Sequence, residues 1–420
     1  MEKLECNQFQ GLYELTDVYY RIDFLENKIQ SFPKATYKPV FQFNAKYEQI
    51  SCRIDEIVSK KNSDILPITV ITDFSCNMKC SYCYEKMILP TTGKISIDSI
   101  RNFVLWALGQ KQYNHIAVSI LGGEPLMPHN IVFIDQLIHT IKSLNVDCSF
   151  SIVTNGLNVV KYIKNILMWG ISGVQITLDG IEDVQNARRV PIENVNGFQT
   201  IAAGISQLLK NDVEVSLRIN VDRNNVERLP ELLEFISRQG WCDQKLHPYI
   251  YPITKSGCQS YPVLDSETEI LKMVLNTIEN CDDSIIKLFR LDFHGVEYID
   301  SIVQGKTPNI KFRFCGISEQ FVIANDGEIY SCWWGINEVP FHIGTIADNV
   351  KIYDRELSIM KNRTIANMGN CKKCKYRFVC GGGCTYTEWF QKHTVENGNC
   401  SNFDTIIKYY LQFLRSKAVI

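Results

Sequence analysis

The chain has no apolar stretch long enough to cross a membrane as a helix, which takes about 20 residues. Residues 1–10 include acidic side chains and lack an apolar core, so they do not form a signal peptide. Basic and acidic residues nearly balance, with 44 Lys and Arg against 46 Asp and Glu, which excludes a basic footprint for nucleic acid. Internal repeats and low-complexity tracts are also missing. These absences predict a globular cytoplasmic protein without a membrane or nucleic-acid partner.

Cysteine, in contrast, is abundant, with 16 residues in a chain of 420. Without a secretion signal, so many thiols indicate metal or redox chemistry in a reducing compartment rather than disulfides. Hydrophobic residues make up 45% of the chain and charged residues 21%, which is typical of a soluble globular protein with a large core.

Three cysteines, Cys76, Cys80 and Cys83, lie within eight residues and directly follow an apolar run at residues 68–71. A [4Fe–4S] cluster takes four ligands, usually cysteine sulfurs, so three thiolates would leave one iron free to bind another molecule. One alternative is that the three thiols are small buried residues on one helical face. The other is zinc, whose closed sites take four protein ligands. The polar residues between the cysteines and the missing fourth ligand favour the iron–sulfur site.

From residue 67 onward, β-branched runs alternate with amphipathic helical patterns, which predicts a parallel sheet covered by helices. The predicted strands are residues 68–72, 116–121, 149–153, 174–178, 213–220 and 246–253. The predicted helices are residues 97–110, 131–144, 159–169, 197–209, 229–238 and 267–280. Six units fit an α/β fold that is either an open sheet or a partial (β/α)6 barrel. Three regions are expected: an N-terminal region 1–66, a core 67–300 and a cysteine-rich domain 301–420 with a β-hairpin at Asn325-Asp326-Gly327.

Ligands of such folds collect where the parallel strands end. Five of the predicted strands are followed by unusual polar residues, which predicts one site on this edge of the sheet. These segments are residues 76–83, 122–125, 154–156, 177–180 and 218–222.

The three-cysteine motif and Gly122-Gly123-Glu124-Pro125 resemble the radical S-adenosylmethionine (SAM) superfamily. This resemblance implies that Cys76, Cys80 and Cys83 hold a [4Fe–4S] cluster whose open iron chelates SAM, and that the SAM is cleaved to a 5′-deoxyadenosyl radical. It further implies SAM contacts for a set of rim residues, with Glu124 on the methionine amine and Arg189 on the carboxylate. The set is Tyr82, Gly122, Gly123, Glu124, Asn155, Thr177, Arg189 and Asn220. Arg188 is expected at the surface, and Asp179 is expected to stabilise a turn.

Seven further cysteines, with Gly327 among them, resemble the SPASM extension of radical SAM enzymes that modify peptides and proteins. They are Cys315, Cys332, Cys371, Cys374, Cys380, Cys384 and Cys400. The resemblance implies two auxiliary [4Fe–4S] clusters, and thus three clusters in all. Cys371, Cys374, Cys380 and Cys400 would hold the outer one, while Cys315, Cys332 and Cys384 would hold the inner one.

The inner set has only three members, so either its cluster has an open iron that could bind a substrate thiolate, or Cys281 or Cys258 supplies the fourth ligand. A zinc ribbon is the alternative for residues 371–384. Cys6, Cys52, Cys148 and Cys242 are expected to be buried or free thiols.

The resulting hypothesis is a maturase that acts on a ribosomally made precursor peptide or a protein and forms a thioether or carbon–carbon crosslink. An alternative is an anaerobic sulfatase maturase that makes formylglycine, and an alternative of another class is an Fe–S electron carrier or redox sensor. An electron donor such as flavodoxin or ferredoxin is expected as a partner, and residues 1–66 are a candidate peptide-binding element. No catalytic base is assigned, although Glu85 and Asp222 are candidates.

Overall fold

The computed structural model describes residues 1–24, 26–42, 64–88, 93–256, 261–262, 265–317 and 319–420. Cys52 and Cys258 lie outside these residues. Within the described ranges, no helix is both long and apolar enough to cross a membrane.

The described part of the N-terminal region, up to residue 42, forms five strands. They are β1 (Glu2–Cys6), β2 (Gln10–Glu14), β3 (Val18–Asp23), β4 (Lys28–Pro33) and β5 (Tyr37–Phe41). Strands β2, β3 and β4 make an antiparallel sheet, and β1 pairs in parallel with β5. No strands were predicted here, because the apolar residues of this region show little periodicity.

The core alternates strands and helices as predicted, and the predicted α/β class and partial barrel are confirmed. Its first half contains β6 (Ile65–Ile71), β7 (Met78–Cys80), α1 (Ile97–Gln110), β8 (His115–Leu121), α2 (Ile131–Lys142), β9 (Asp147–Thr154), α3 (Val159–Trp169) and β10 (Gly173–Thr177). Its second half contains α4 (Glu182–Arg188), β11 (Arg189–Pro191), α5 (Gly197–Lys210), β12 (Glu214–Val221), α6 (Leu229–Arg238), β13 (Leu246–Pro252), α7 (Glu267–Ile278), α8 (Asp283–Ile286), β14 (Arg290–Leu291) and α9 (Val296–Val303).

Strands β6, β8, β9, β10, β12, β13 and β14 are parallel neighbours in chain order. No pairing within the described residues joins β14 back to β6, so the barrel is open. Along β8, β9 and β12, buried residues alternate with polar or half-buried residues on the opposite face of the sheet. Ile116, Ile120, Ile152 and Val215, for example, are fully buried.

The C-terminal region extends this same sheet. It contains β15 (Phe321–Ile323), β16 (Glu328–Tyr330), β17 (His342–Thr345), β18 (Lys351–Ile352), α10 (Asp354–Asn362), α11 (Arg377–Cys380), α12 (Thr385–Lys392) and α13 (Phe403–Ser416). The hairpin predicted at residues 325–327 joins β15 and β16. Strand β15 then pairs in parallel with β6, so one eleven-stranded sheet runs through the core and the cysteine-rich region.

Candidate functional site

A cavity of about 750 Å³ lies at the carboxyl ends of the core strands, and Cys76, Cys80 and Cys83 all line it. The three thiols sit on the loop that follows β6, with Cys80 ending the short strand β7. Burial raises the pKa of Cys76 to about 11 and that of Cys83 to about 12. The sequence therefore places three sheltered thiols on one wall, with no fourth cysteine among the described residues of that lining.

Gly122 and Gly123 hold this cysteine loop against the end of β8. A Cβ atom on Gly123 would lie 2.2 Å from the Ser75 carbonyl oxygen, and one on Gly122 would lie 2.4 Å from that of Asp73. The amide of Gly123 also donates to the Asp73 carbonyl at 2.8 Å. Both glycines line the cavity. A side chain is excluded at these two positions because the backbone of the cysteine loop approaches them so closely.

Glu124 lies behind the cavity wall and is fully buried. Its carboxylate accepts hydrogen bonds from the Thr154 hydroxyl at 2.7 Å, the Asn155 amide at 2.7 Å and the Leu126 amide at 2.9 Å. Burial raises the pKa of Glu124. These contacts position the end of β9. The contact between Glu124 and the SAM amine that the resemblance implies stays a prediction.

Tyr82 is the centre of a buried hydrogen-bond network beside the cysteines. Its hydroxyl donates to Asp179 and accepts from Arg189 at 2.9 Å and from Asn220 at 3.1 Å. Asn220 is oriented by Arg218, whose Nε donates to the amide oxygen at 2.8 Å. The network fixes the cysteine loop to the ends of β10 and β12.

Arg189 is the candidate for binding an anion. It is buried and lines the cavity, and its Nε has no hydrogen-bond partner among the described residues. In register, Arg189 lies opposite Cys80 in the antiparallel pair of β7 and β11. A carboxylate in the cavity would satisfy the unpaired N–H donor.

The expectation that Arg188 lies at the surface was wrong. Its side chain is 8% exposed and forms a two-point ion pair with Asp222, both contacts at 3.1 Å, while Asp179 lies 3.7 Å from its Nε. The sequence suggested a solvated pair because the two charged residues are adjacent. Asp222 is therefore engaged in a buried ion pair, which removes the basis for treating it as a candidate base.

Three remaining predicted residues also reach the cavity. Asn155, Thr177 and Glu85 all line it. The Asn155 side-chain amide lies 3.6 Å from the Cys76 sulfur and donates to the Asn77 side-chain oxygen at 2.7 Å. Burial raises the pKa of Glu85 to about 7. Thus seven of the eight predicted SAM-contact residues line one cavity with the three cysteines.

The seven downstream cysteines fall into two groups by their electrostatic neighbours. The pKa of Cys332 is raised by burial and then by the nearby thiols of Cys384 and Cys315. The pKa of Cys371 is raised to about 12 by burial and then by the nearby thiols of Cys380, Cys374 and Cys400. We call these the inner group and the outer group.

Cys281 belongs to neither group, because its neighbours are Lys417 and Glu234. It therefore does not serve as a fourth ligand of the inner group in this structure. Cys6, Cys148 and Cys242 are free thiols.

The three cavity cysteines, the inner group and the outer group each offer three or four thiols, which suits iron–sulfur clusters in both number and chemistry. Within the described residues, no three or more His, Cys, Asp or Glu side chains converge closely enough to hold a single metal ion. Thiolates of a four-iron cluster bind different irons and so stand farther apart than the ligands of one ion. Three thiols in the cavity beside the unpaired Arg189 donor fit a cluster with one open iron and a carboxylate-bearing cofactor.

Several residues of the site were not predicted from the sequence. Trp333 and Trp334 line the cavity, and Trp334 packs on Tyr84 with ring centroids 6.3 Å apart. Both tryptophans directly follow Cys332, which was the available signal. Arg218 belongs to the predicted segment 218–222 but was not singled out, although the two-residue period of β12 places it on the same face as Asn220.

Arg363 was also missed, because nothing in its sequence context marks it. It is buried, and its charge interacts with the thiols of Cys384, Cys371 and Cys315. It therefore lies between the inner and outer groups. Its guanidinium donates to the Thr385 hydroxyl at 2.6 Å and to the Val395 carbonyl at 2.8 Å.

Comparison with known proteins gives three kinds of match. The pattern of the radical SAM superfamily matches residues 70–236. The cysteine-type anaerobic sulfatase-maturating enzyme of Clostridium novyi (strain NT) is 25% identical over 362 residues, covering 80% of this chain and 92% of that enzyme. The GTP 3',8-cyclase of Staphylococcus epidermidis (strain RP62A) is 24% identical over 349 residues, covering 74% and 94%.

Two solved structures share the fold. Native anSMEcpe with bound AdoMet has a TM-score of 0.61 at 17% identity, covering 84% of this chain and 97% of that chain. Streptococcus suis SuiB bound to precursor peptide SuiA has a TM-score of 0.52 at 13% identity, covering 85% and 81%.

Proposed function

Because this chain is a radical SAM enzyme, with its radical SAM domain at residues 70–236, we propose that it is a maturase that modifies a side chain of a peptide or protein. The observation that carries the proposal is the single cavity lined by Cys76, Cys80, Cys83 and the anion-binding candidate Arg189. When bound, the cluster and SAM would supply a carbon radical that takes hydrogen from an unactivated C–H bond. The chain's own residues hold, orient and enclose the reactants.

The residues that line the cavity would have separate roles. Cys76, Cys80 and Cys83 would hold the cluster, and Arg189 would bind the SAM carboxylate through its unpaired Nε. Thr177 and Asn155 would contact SAM from the ends of β10 and β9. The Tyr82 network keeps the Arg189 guanidinium in place, since its Nη1 already donates to the tyrosine hydroxyl.

The inner group favours crosslinking as the reaction. Trp333 and Trp334 line the cavity and directly follow Cys332, so the inner group lies beside the space open to substrate. The structure describes three thiols in the inner group and places Cys281 elsewhere, while Cys258 lies outside the described residues. With no ligand from Cys258, the inner cluster would have an iron free for a substrate thiolate. Bond formation between that sulfur and a carbon of the same peptide would give a thioether.

The second candidate is oxidation of a cysteine or serine to formylglycine. It is supported by the sulfatase-maturating enzymes among the relatives, since this chain covers 92% of the Clostridium novyi enzyme. An electron carrier or redox sensor is disfavoured, because a carrier has no need of an anion-binding arginine and a cavity beside its cluster.

The test of SAM cleavage uses the anaerobically reconstituted full chain with dithionite as reductant. We expect 5′-deoxyadenosine from the parental protein and from a Cys148→Ala control, and none from a variant with Cys76, Cys80 and Cys83 changed to alanine. Undiminished cleavage by the triple variant would overturn the proposal.

The two reactions differ in their products. A thioether crosslink removes two hydrogens from the peptide, one from carbon and one from sulfur, and leaves a sulfur that iodoacetamide does not alkylate. Formylglycine formation from cysteine also removes two hydrogens but replaces sulfur with oxygen, and the aldehyde reacts with hydrazides. Mass spectrometry of a sulfatase-derived cysteine peptide, and of cysteine-containing peptides encoded by neighbouring genes, separates the two.

A further inference from the structure

The loop that carries the outer group is strongly basic. Between Cys371 and Cys380 it contains Lys372, Lys373, Lys375 and Arg377 and no acidic residue, although the whole chain has a net charge of -2. The cavity and its chemistry do not use these charges, since none of the four lines the cavity.

Two of the four charges remain available to a partner. Lys375 pairs with Asp404 at 3.0 Å, and Arg377 is buried with one N–H donating to the Lys372 carbonyl at 2.7 Å. Lys372 and Lys373 are exposed, and neither forms an ion pair with any residue that the structure describes.

An outer-group sulfur is exposed close to the start of this loop. Cys400 is exposed, whereas Cys371 is buried. Asn370 connects them, because its side-chain amide donates to the Cys400 sulfur at 3.3 Å and its oxygen accepts from the Cys371 thiol at 3.6 Å. Cys315 of the inner group is also exposed, but its immediate sequence neighbours, Phe314 and Gly316, carry no charge.

We propose that Lys372, Lys373 and the exposed Cys400 form a docking face for an acidic one-electron carrier protein. This proposal rests on the proposed function, because the outer group must hold a cluster. Opposite charge steers the encounter and orients the two redox centres, and a small, charged, weakly bound interface is typical of electron-transfer partners. In the docked pair a reduced carrier loses one electron and the outer cluster gains it; an oxidised carrier takes one electron from a reduced cluster.

The experiment mixes the anaerobic holoenzyme, its clusters oxidised, with fully reduced flavodoxin of strongly negative net charge. Formation of the flavodoxin semiquinone, which marks loss of one electron, is followed by stopped-flow absorbance. We expect the second-order rate constant to fall steeply with ionic strength, and to fall about tenfold at low salt in a Lys372→Glu/Lys373→Glu variant. A Lys161→Glu/Lys164→Glu variant on the exposed side of α3 has the same net charge and should react within about twofold of the parent.

Iron content is measured in each variant. If the Lys372→Glu/Lys373→Glu variant has lost iron, the neutral Lys372→Gln/Lys373→Gln variant is used in its place. The salt dependence of the parental protein needs no variant. Equal rates in the two double-charge variants, or a parental rate independent of salt, would overturn the docking face. Dithionite-driven cleavage of SAM separates the two hypotheses, because this small reductant requires no docking. If the parent makes no 5′-deoxyadenosine with dithionite, the proposed function fails as well.

Discussion

Arg188 and Arg189 are adjacent in the chain but have opposite environments. Arg188 is neutralised by two buried carboxylates and has no access to the cavity, whereas Arg189 keeps a buried donor without a partner among the described residues. The difference arises because α4 ends at Arg188 and β11 begins at Arg189, so that the two side chains leave the backbone in different directions. Both arginines are buried, and their adjacency in the sequence does not show which of them reaches the cavity.

The first prediction concerns the ion pair of Arg188. An Arg188→Met variant leaves Asp222 and Asp179 as buried carboxylates without their cation, and we expect the free energy of unfolding to fall by roughly 3–5 kcal/mol. Thermal unfolding of the anaerobic protein measures it, with Arg228→Met as the control because Arg228 is a half-exposed arginine paired with Asp183. Similar losses in the two variants would contradict a structural role for the buried pair.

The second prediction concerns Arg363, whose charge lies between the inner and outer groups. A cation beside a cluster stabilises the reduced, more negative state, so an Arg363→Gln variant should shift the reduction potentials of both proposed auxiliary clusters to more negative values. Potentiometric titration followed by electron paramagnetic resonance checks the shift. An Arg363→Lys variant keeps the charge and should have reduction potentials close to those of the parent. A shift confined to the cluster of Cys76, Cys80 and Cys83 would contradict the position of Arg363 between the inner and outer groups.

At the scale of elements, the cysteine loop is held by two contacts that the sequence does not reveal. The first is the close approach to the end of β8 at Gly122 and Gly123. The second is the short antiparallel pair of β7 and β11, which aligns Cys80 with Arg189. The core strands were predicted to within a few residues because β-branched runs and helical periods are strong local signals. Strand β11 has three residues and is formed by a non-local pairing, so local patterns could not predict it.

The third prediction tests the first of these contacts. A Gly123→Ala variant forces a methyl group into the Ser75 carbonyl oxygen, so the loop must move away from β8. We expect iron bound at Cys76, Cys80 and Cys83 to be largely lost after anaerobic reconstitution, as measured by iron analysis and by the visible charge-transfer absorbance. Gly109→Ala in α1 is the matched control, because the added methyl group would have no described neighbour within 4 Å and alanine favours a helix. Full iron content in the Gly123 variant would show that the loop tolerates the displacement.

At the scale of the whole molecule, the N-terminal strands pack against the outer group. The Tyr13 and Tyr376 hydroxyls lie 2.8 Å apart, and the Tyr376 hydroxyl donates to Asp404. Tyr376 also stacks on Phe403 and meets the edge of Phe24, with ring centroids 5.2 and 5.0 Å apart. Because Tyr376 lies between Cys374 and Cys380, the N-terminal region and the outer group depend on each other. A role for residues 1–66 in peptide binding stays a prediction. Deletion of this region would test it poorly, because the loop that carries the outer group would lose its packing.

The fourth prediction follows from this packing. A Tyr13→Phe variant removes one buried hydrogen bond while Tyr376 keeps its bond to Asp404, and we expect a loss of about 1 kcal/mol in the free energy of unfolding.

A deletion of residues 1–42 exposes Tyr376 and Phe403, and we expect the outer group to lose its iron before the other cysteine groups lose theirs. Thermal unfolding and Mössbauer spectra of the two proteins check these outcomes. Unchanged iron in the deletion variant would mean that the outer group folds without the N-terminal strands.

The site could be located from the cysteine pattern of the sequence. The contacts that support it could not be predicted. Three thiols at fixed spacing and polar residues at successive strand ends mark a shared edge in any parallel sheet. The inward direction of Glu124, the buried pair at Arg188 and the position of Arg363 depend on residues far away in the chain. Such contacts leave no local pattern.

The pairing of β15 with β6 has a consequence for how the chain reaches its final form. On the ribosome, β6 (Ile65–Ile71) emerges about 250 residues before β15 (Phe321–Ile323). Until then one edge of this apolar strand presents unpaired backbone groups, which is a template for aggregation. A chaperone, or slow translation that delays release, therefore has a defined edge to protect, and a recombinant fragment that stops near residue 300 keeps that edge open permanently.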